Sequence, residues 1–285
     1  MKIGIRTNTL DKKGYGRWGK DTYKKLKEHG YSCSDFSMMD TNSIFYSSDE
    51  SDTILLAEKK LASDAGITIN QVHGPWEWPP RDYTKELLKE KMDKMKTSIR
   101  ATSVLGCKNW VIHPLMPFGI EDADTDKAVE TRKINIECMK ELLDTAKNYD
   151  VTICLENMPM HNYSLSKPDV IHDIISEIND DNFKMCLDTG HVSVFKDLNV
   201  GDEVRRIGKD IKALHVHDNK FGQDLHLMPY FGIIDWSDFS KALKEINFDG
   251  CFSLETIPPG VLPDEIFEDM CKSLFNIASE ITYNL

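Results

Sequence analysis

Apolar and polar positions alternate in short runs along this chain, and the runs return at regular intervals. The segments "KIGIR" (2–6), "YSCSDF" (31–36), "ITINQVH" (67–73) and "NWVIH" (109–113) have strand character. So do "VTICLE" (151–156), "FKMCLD" (183–188), "IKALHVH" (211–217) and "CFSLE" (251–255). Between them, segments such as 83–104, 127–148 and 265–281 repeat their apolar positions at helical spacing and are too long and too charged to be strands. A shorter helical pattern lies near 201–209. No low-complexity tract or Gly/Ser linker divides the chain. Eight strand–helix units in 285 residues predict an α/β protein, a (β/α)₈ TIM barrel forming a single domain over residues 1–285. An open doubly wound sheet would carry a Gly-rich phosphate turn after the first strand, and "RTNTLDKKGYG" contains no G-x-G-x-x-G.

In such a barrel, chemistry collects where the strands end. The last residues of strands three to eight are His73, His113, Glu156, Asp188, His215 (with His217 two further on) and Glu255. Each follows an apolar run that ends inside the barrel, where a lone charge or imidazole is costly. One such residue has ordinary explanations: Asp188 in "LDTGH" can cap a helix, and His113 in "IHP" can bond a backbone carbonyl. Six in succession call for a shared cause, and a cation makes clustered buried carboxylates tolerable. Glu156, Asp188, His215 and Glu255 end the neighbouring strands five to eight. Together they form a mixed nitrogen and oxygen donor set suited to one divalent ion, Mn²⁺, Mg²⁺, Co²⁺ or Zn²⁺. His217 shares the inward face of His215 but lies past the strand, so it is expected to orient a ligand or touch substrate. The segment "ALHVHDNKFGQDLHLMP" (213–229) adds a D-x-H triplet, Asp224 and His226.

Charge narrows the partners. A formal net charge of −12 repels polyanions, which excludes nucleic acid and an anionic membrane surface as expected partners. The loops "WEWPP" (76–80) and "FGIEDADTD" (118–126) are aromatic and acidic rather than basic, and Trp76 and Trp78 can present apolar faces to a sugar ring. Arg6, ending strand one, is expected to form a salt bridge. Seven cysteines without a C-x-x-C pair predict reduced core thiols. "MKIGIRTNTL" has no apolar stretch of signal-peptide length, which points to a cytoplasmic protein.

The motifs "QVHGPW", "VIHP", "CLENMP", "CLDTGH", "ALHVHDN", "DLHLMP" with "GIIDW", and "FSLET" resemble, in this order, the xylose-isomerase-like TIM-barrel superfamily. That group contains sugar and sugar-phosphate isomerases and epimerases of the tagatose 3-epimerase type, and also endonuclease IV. The resemblance covers about residues 67 to 260. On the epimerase pattern it implies one divalent ion on Glu156, Asp188, His215 and Glu255, with both glutamates transferring protons and His191 contacting substrate. On the endonuclease IV pattern it implies up to three zinc ions on His73, His113, Glu156, Asp188, His191, His215, Asp224, His226 and Glu255. The chain departs from both at "MPYFGIIDW", where relatives carry a Gly-rich turn. The expectation is therefore a metal-dependent isomerase acting on a small sugar or sugar phosphate, free sugar favoured. Glu156 and Glu255 would be catalytic, while His73, His113, His191, His217, Asp224, His226 and Trp76 would bind substrate or further metal. A phosphodiesterase, or a dehydratase acting on a polyol ketone, is the alternative. A homo-oligomer is compatible with all of these readings.

Overall fold

Eight parallel strands run in sequence order around a barrel. They are β1 (Lys2–Thr7), β2 (Cys33–Ser37), β3 (Thr68–His73), β4 (Asn109–Ile112), β5 (Thr152–Glu156), β6 (Phe183–Asp188), β7 (Ile211–His215) and, after a two-stranded insertion, β10 (Cys251–Leu254). β10 pairs with β1 in parallel. On its other side the barrel closes on β7 through one bridge, Val216 to Leu254, where Val216 N donates to Ser253 O (2.8 Å) and Glu255 N to Val216 O (3.0 Å). The computed structural model describes residues 1–7, 14–47, 50–78, 84–256 and 258–283. Residues 79, 80 and 83, which belong to a loop and a helix expected from the sequence, lie outside these.

The expected helices lie at Lys85–Val104, Lys127–Asn148, Val200–Ile207 and Asp264–Ile281. Their starts follow local chemistry. Thr84 accepts the Leu87 amide, Asn199 accepts that of Asp202, and Asp235 opens the helix Trp236–Glu245 by accepting that of Asp238. Large apolar side chains such as Trp110, Phe183, Phe252 and Phe267 fill the layer between the strands and the helices. None of the described helices is long and apolar enough to cross a membrane.

Several boundaries differ by a residue or two from the sequence reading, and three of them bear on the site. β4 ends at Ile112 and β10 at Leu254, so His113 and Glu255 lie one residue beyond their strands. β7 stops at His215 because the next turn carries the chain into an antiparallel hairpin, β8 (Asp218–Lys220) and β9 (Gln223–Leu227), where alternation alone suggested a loop. The Asp224–His226 pair therefore sits on a strand, not on a free loop.

Period-two alternation sends every second strand residue into the barrel. The residues at the mouth are Arg6, Asp35, His73, His113, Glu156, Asp188, His215 and Glu255. Two positions earlier on each strand come Gly4, Cys33, Gln71, Val111, Cys154, Cys186, Ala213 and Ser253. Val111, Cys154, Cys186 and Ala213 form an apolar cluster of their own, separate from the outer core. Gly4 is small for a steric reason: a Cβ there would lie 2.9 Å from Cys251 Sγ and 3.0 Å from Cys33 Cβ.

Candidate active site

The upper layer is a continuous network of buried acids and imidazoles. His215, fully buried, has Nδ1 at 2.8 Å from Glu156 Oε1 and 3.2 Å from Glu255 Oε2. Its Nε2 lies 3.1 Å from Asp35 Oδ2. The other oxygen of Glu156 sits 3.2 Å from His113 Nε2 and 3.5 Å from His73 Nε2, yet it is buried without a hydrogen bond of good geometry. Arg6 Nη1 donates to Glu255 Oε1 at 3.0 Å, the ion pair expected of it.

Asp188 has two local functions. It caps the short helix Thr189–Ser193 by accepting the His191 amide at 2.7 Å, and it takes the buried His217 ring, whose Nε2 is 3.0 Å from Oδ1. The "TGH" turn allows this approach because Gly190 has no side chain; a Cβ would fall 1.9 Å from His217 Cε1. His217 therefore faces Asp188 from behind, and its ring stacks on His226 with centroids 4.0 Å apart. His191 Nδ1 bonds the Asn157 carbonyl at 2.7 Å, which turns Nε2 toward Asp224 Oδ2 at 3.5 Å. His226 Nε2 lies 3.4 Å from the same oxygen.

Electrostatics follow from this crowding. Burial alone would raise the Glu156 carboxyl, but the His215 and His113 rings hold it well below the ordinary carboxylate range. Glu255, also buried, is pulled below that range by His215, His226 and Arg6. Burial opposes charge on His191, yet Asp188 and Asp224 push it up to about 10. His215 is raised well above its ordinary value against burial, by the acids around it. His113 goes the other way, pushed down to about 4 by burial. Crowding thus pulls the carboxyls of Glu156 and Glu255 down and the rings of His191 and His215 up.

The donor atoms are spaced for such a cation. One oxygen each from Glu156, Asp188 and Glu255 and one nitrogen of His215 all lie within 4.8 Å of one another. That is the span of ligands sharing an ion at bond lengths of about 2.0–2.4 Å. Among the described residues His73–His113–Glu156, His191–His217–Asp224–His226 and Glu156–Cys186–His215 are gathered as closely.

Above the network opens a cavity of about 350 Å³. Glu156, Glu255, His113, His191, Asp224 and His226 reach it, and Trp76, Trp78 and Met158 form part of its wall. His73, His215 and Asp188 lie beneath its floor. Trp76 packs edge-on to His113, with centroids 4.4 Å apart. Of the residues expected to bind substrate, His73 and His217 thus reach the network but not the cavity, and of the four expected ligands Asp188 and His215 also lie outside its lining.

Several participants escaped the sequence reading. Asp35 is one: it lies inside "YSCSDF" rather than at its end, so a search of strand ends passes over it, although an acid inside an apolar strand is itself a signal. Asp218 and Asn219 are others. The buried Asp218 carboxylate accepts the amides of Asn219, Tyr230, Ile233 and Ile234 and the Trp236 indole N–H, at 2.9–3.2 Å. Asn219 accepts the amides of Leu225 (2.6 Å) and His226 (3.1 Å) and donates to Asp224 Oδ1 (3.1 Å). These two side chains hold the hairpin that brings Asp224 and His226 to the site.

Comparison with known proteins agrees with this architecture. The chain is similar to a D-psicose 3-epimerase of Enterocloster bolteae, 28% identical over 158 residues, or 54% of this chain and 49% of that protein. It is also similar to a probable endonuclease 4 of Mycoplasmopsis agalactiae, 28% identical over 193 residues, 65% of this chain and 61% of that one. The chain thus spans less than two thirds of the length of these curated relatives. A crystal structure of a D-psicose 3-epimerase in the presence of D-fructose has the same fold, with a TM-score of 0.79 at 16% identity over 99% of both chains. A sequence profile described as xylose isomerase-like TIM barrel matches residues 23–276, nearly the whole barrel. On that match the chain belongs to the xylose isomerase-like TIM barrel family.

Proposed function

We propose that this protein is a divalent-metal-dependent sugar isomerase or epimerase that removes a proton from the carbon beside a carbonyl. The observation that carries this reading is the convergence of two buried glutamates, Glu156 and Glu255, on His215 at the floor of the cavity. Glu156, Asp188, His215 and Glu255 would hold the ion. When bound there, a divalent ion supplies Lewis-acid polarisation of a carbonyl oxygen. The chain's own residues do the rest. Glu156 and Glu255 enter as carboxylates, the form a proton-abstracting group needs; one takes a proton from the substrate carbon and the other returns one. Return to the opposite face inverts the centre, and return to the neighbouring carbon exchanges ketose and aldose. His191 keeps its proton at neutral pH and donates a hydrogen bond to a substrate oxygen. Trp76 and Trp78 cover the apolar face of the ring and exclude water from the enediolate.

The cavity supports a small uncharged substrate. Its volume lies at the lower end of the range for small-molecule sites, about 300–1,000 Å³. Apart from imidazoles, Arg6 is the only cation among the described residues lining it, and Arg6 is occupied by Glu255. A free ketose therefore fits better than a phosphorylated one. The relatives named for epimerisation of psicose point the same way.

One observation favours a second reading. Of the three ligand groups without a cysteine, two share Glu156, and the three together contain, besides His217, the nine residues that a trinuclear zinc phosphodiesterase would require. Against it stand the −12 charge, the aromatic and acidic rim, and a cavity too small and too apolar to follow a phosphate backbone. A screen of free and phosphorylated ketoses with added Mn²⁺, on protein of measured metal content, tests the proposal. Turnover of a free ketose with one tightly held ion per chain is expected. Three ions per chain with no sugar turnover would favour the second reading.

A further inference from the structure

Asp35 is a buried acid that neither the proton transfer nor the four ligand positions account for. It is 1% exposed, and its Oδ1 is buried with no hydrogen-bond partner. Oδ2 is doubly engaged, with His215 Nε2 at 3.1 Å and with the Gln71 amide at 2.9 Å. Gln71 Nε2 also reaches the Leu214 carbonyl at 3.2 Å, tying the acid to the backbone residue that precedes His215. Strand register places these groups deliberately: Asp35 of β2 lies level with Arg6 of β1 and Gln71 of β3, and His215 of β7 reaches across the lumen to it. A buried carboxyl group with one oxygen left unpartnered is a costly feature inside a barrel, so a purely structural role is a poor account of it.

We propose that Asp35 is a positioning residue that fixes the tautomer and ring plane of His215 for metal binding, a role that rests on the metal reading given above. An acceptor at Nε2 keeps a proton on that nitrogen. With an ion held between Nδ1 and the oxygens of Glu156 and Glu255, this would leave the Nδ1 lone pair for the ion. The carboxylate behind the ring also increases the electron donation of the imidazole, and outer partners of this kind change metal affinity by about 10–100-fold. The same device is present at two other rings, with a neutral acceptor. His73 Nδ1 faces the Gly74 carbonyl at 2.9 Å and His191 Nδ1 the Asn157 carbonyl at 2.7 Å. Of these three rings, His215, which sits among three acids, is the one with a carboxyl group behind it.

The test is Mn²⁺ affinity, read from free-ion electron paramagnetic resonance during titration of wild type, Asp35→Asn, Asp35→Ala and Gln71→Leu. Asp35→Asn keeps the shape and an acceptor but loses the charge, and should weaken binding about tenfold; Asp35→Ala should approach a 100-fold loss. Gln71→Leu should move in the same direction by less. With Zn²⁺ bound, two-bond ¹H–¹⁵N spectra should show the His215 proton on Nε2 in wild type and a mixture of ring states in Asp35→Ala. Circular dichroism identifies any variant that fails to fold, and the near-isosteric Asp35→Asn then carries the test. Variants that bind Mn²⁺ as tightly as wild type would overturn the role of Asp35 while leaving the metal site standing. A wild-type protein that binds neither Mn²⁺ nor Zn²⁺ would overturn the metal reading and this inference with it.

Discussion

Two sets of lumen positions, an upper and a lower layer counted two residues apart along each strand, have opposite chemistry. The upper layer contains four acids, three imidazoles and a guanidinium, one from each strand or its end. The lower layer, two residues earlier on every strand, contains Gly4, Cys33, Gln71, Val111, Cys154, Cys186, Ala213 and Ser253, none of them charged. Burial hardly distinguishes them: Glu156 is 1% exposed, Cys154 and Ala213 0% and 1%. What differs is the supply of partners. Each upper acid meets an imidazole, a guanidinium or backbone N–H groups. The lower layer offers none of these and is filled by small neutral side chains. Charge is tolerated in this lumen only where the structure also supplies countercharge, and that localises the chemistry to one level.

The largest effect should come from violating this rule in the lower layer. Ala213→Asp places a carboxylate among Val111, Cys154 and Cys186 and should cost about 3–5 kcal/mol, as an uncompensated buried charge does, read from urea unfolding. Near-wild-type stability would show that the lower layer can supply countercharge after all.

In the upper layer the expected loss is of activity rather than fold. Glu255→Gln should lower kcat by about 10²–10⁴-fold while the far-ultraviolet spectrum remains native. His191→Ala removes a charged hydrogen-bond donor worth about 1.5–3 kcal/mol, so kcat/KM should fall roughly 10–100-fold with the bound metal retained. Parallel kinetics and metal analysis separate these two outcomes.

The smallest effect should come from a conservative change below the site. Cys154→Ala should cost about 1 kcal/mol of stability and leave the kinetics unchanged. Its thiol, raised in pKa by burial, should also stay unalkylated in the native protein. Altered kinetics in this variant would mean that the layers are coupled more tightly than their chemistry suggests.

Much of this was legible in the sequence because barrel strands report their own ends. An apolar run that stops at His, Glu or Asp marks both a strand and a side chain at the barrel mouth, and six strands show it. The eight-unit rhythm gave the fold for the same reason. What the sequence left out is whatever acts across the lumen or away from strand ends. Asp35 sits one residue short of the last position in its run, so only its contact with His215, 180 positions away, shows its place in the network. Asp218 reads as one more acid in a His- and Asp-rich stretch until five N–H donors are seen around it. His217 alternates correctly with His215, yet closure of β7 against β10 turns the chain, and the ring ends behind Asp188 rather than in the cavity.

The central claim is that Glu156 and Glu255 move a proton at the carbon beside a sugar carbonyl. Incubating a ketose with the Mn²⁺-supplied protein in deuterated water, and following the carbon-bound hydrogens by NMR, tests it most directly. The account predicts that deuterium enters at the carbon next to the carbonyl, and that Glu255→Gln slows this by the same factor as turnover. Failure of every ketose to exchange, with cleavage of an abasic DNA duplex by the same preparation, would contradict it.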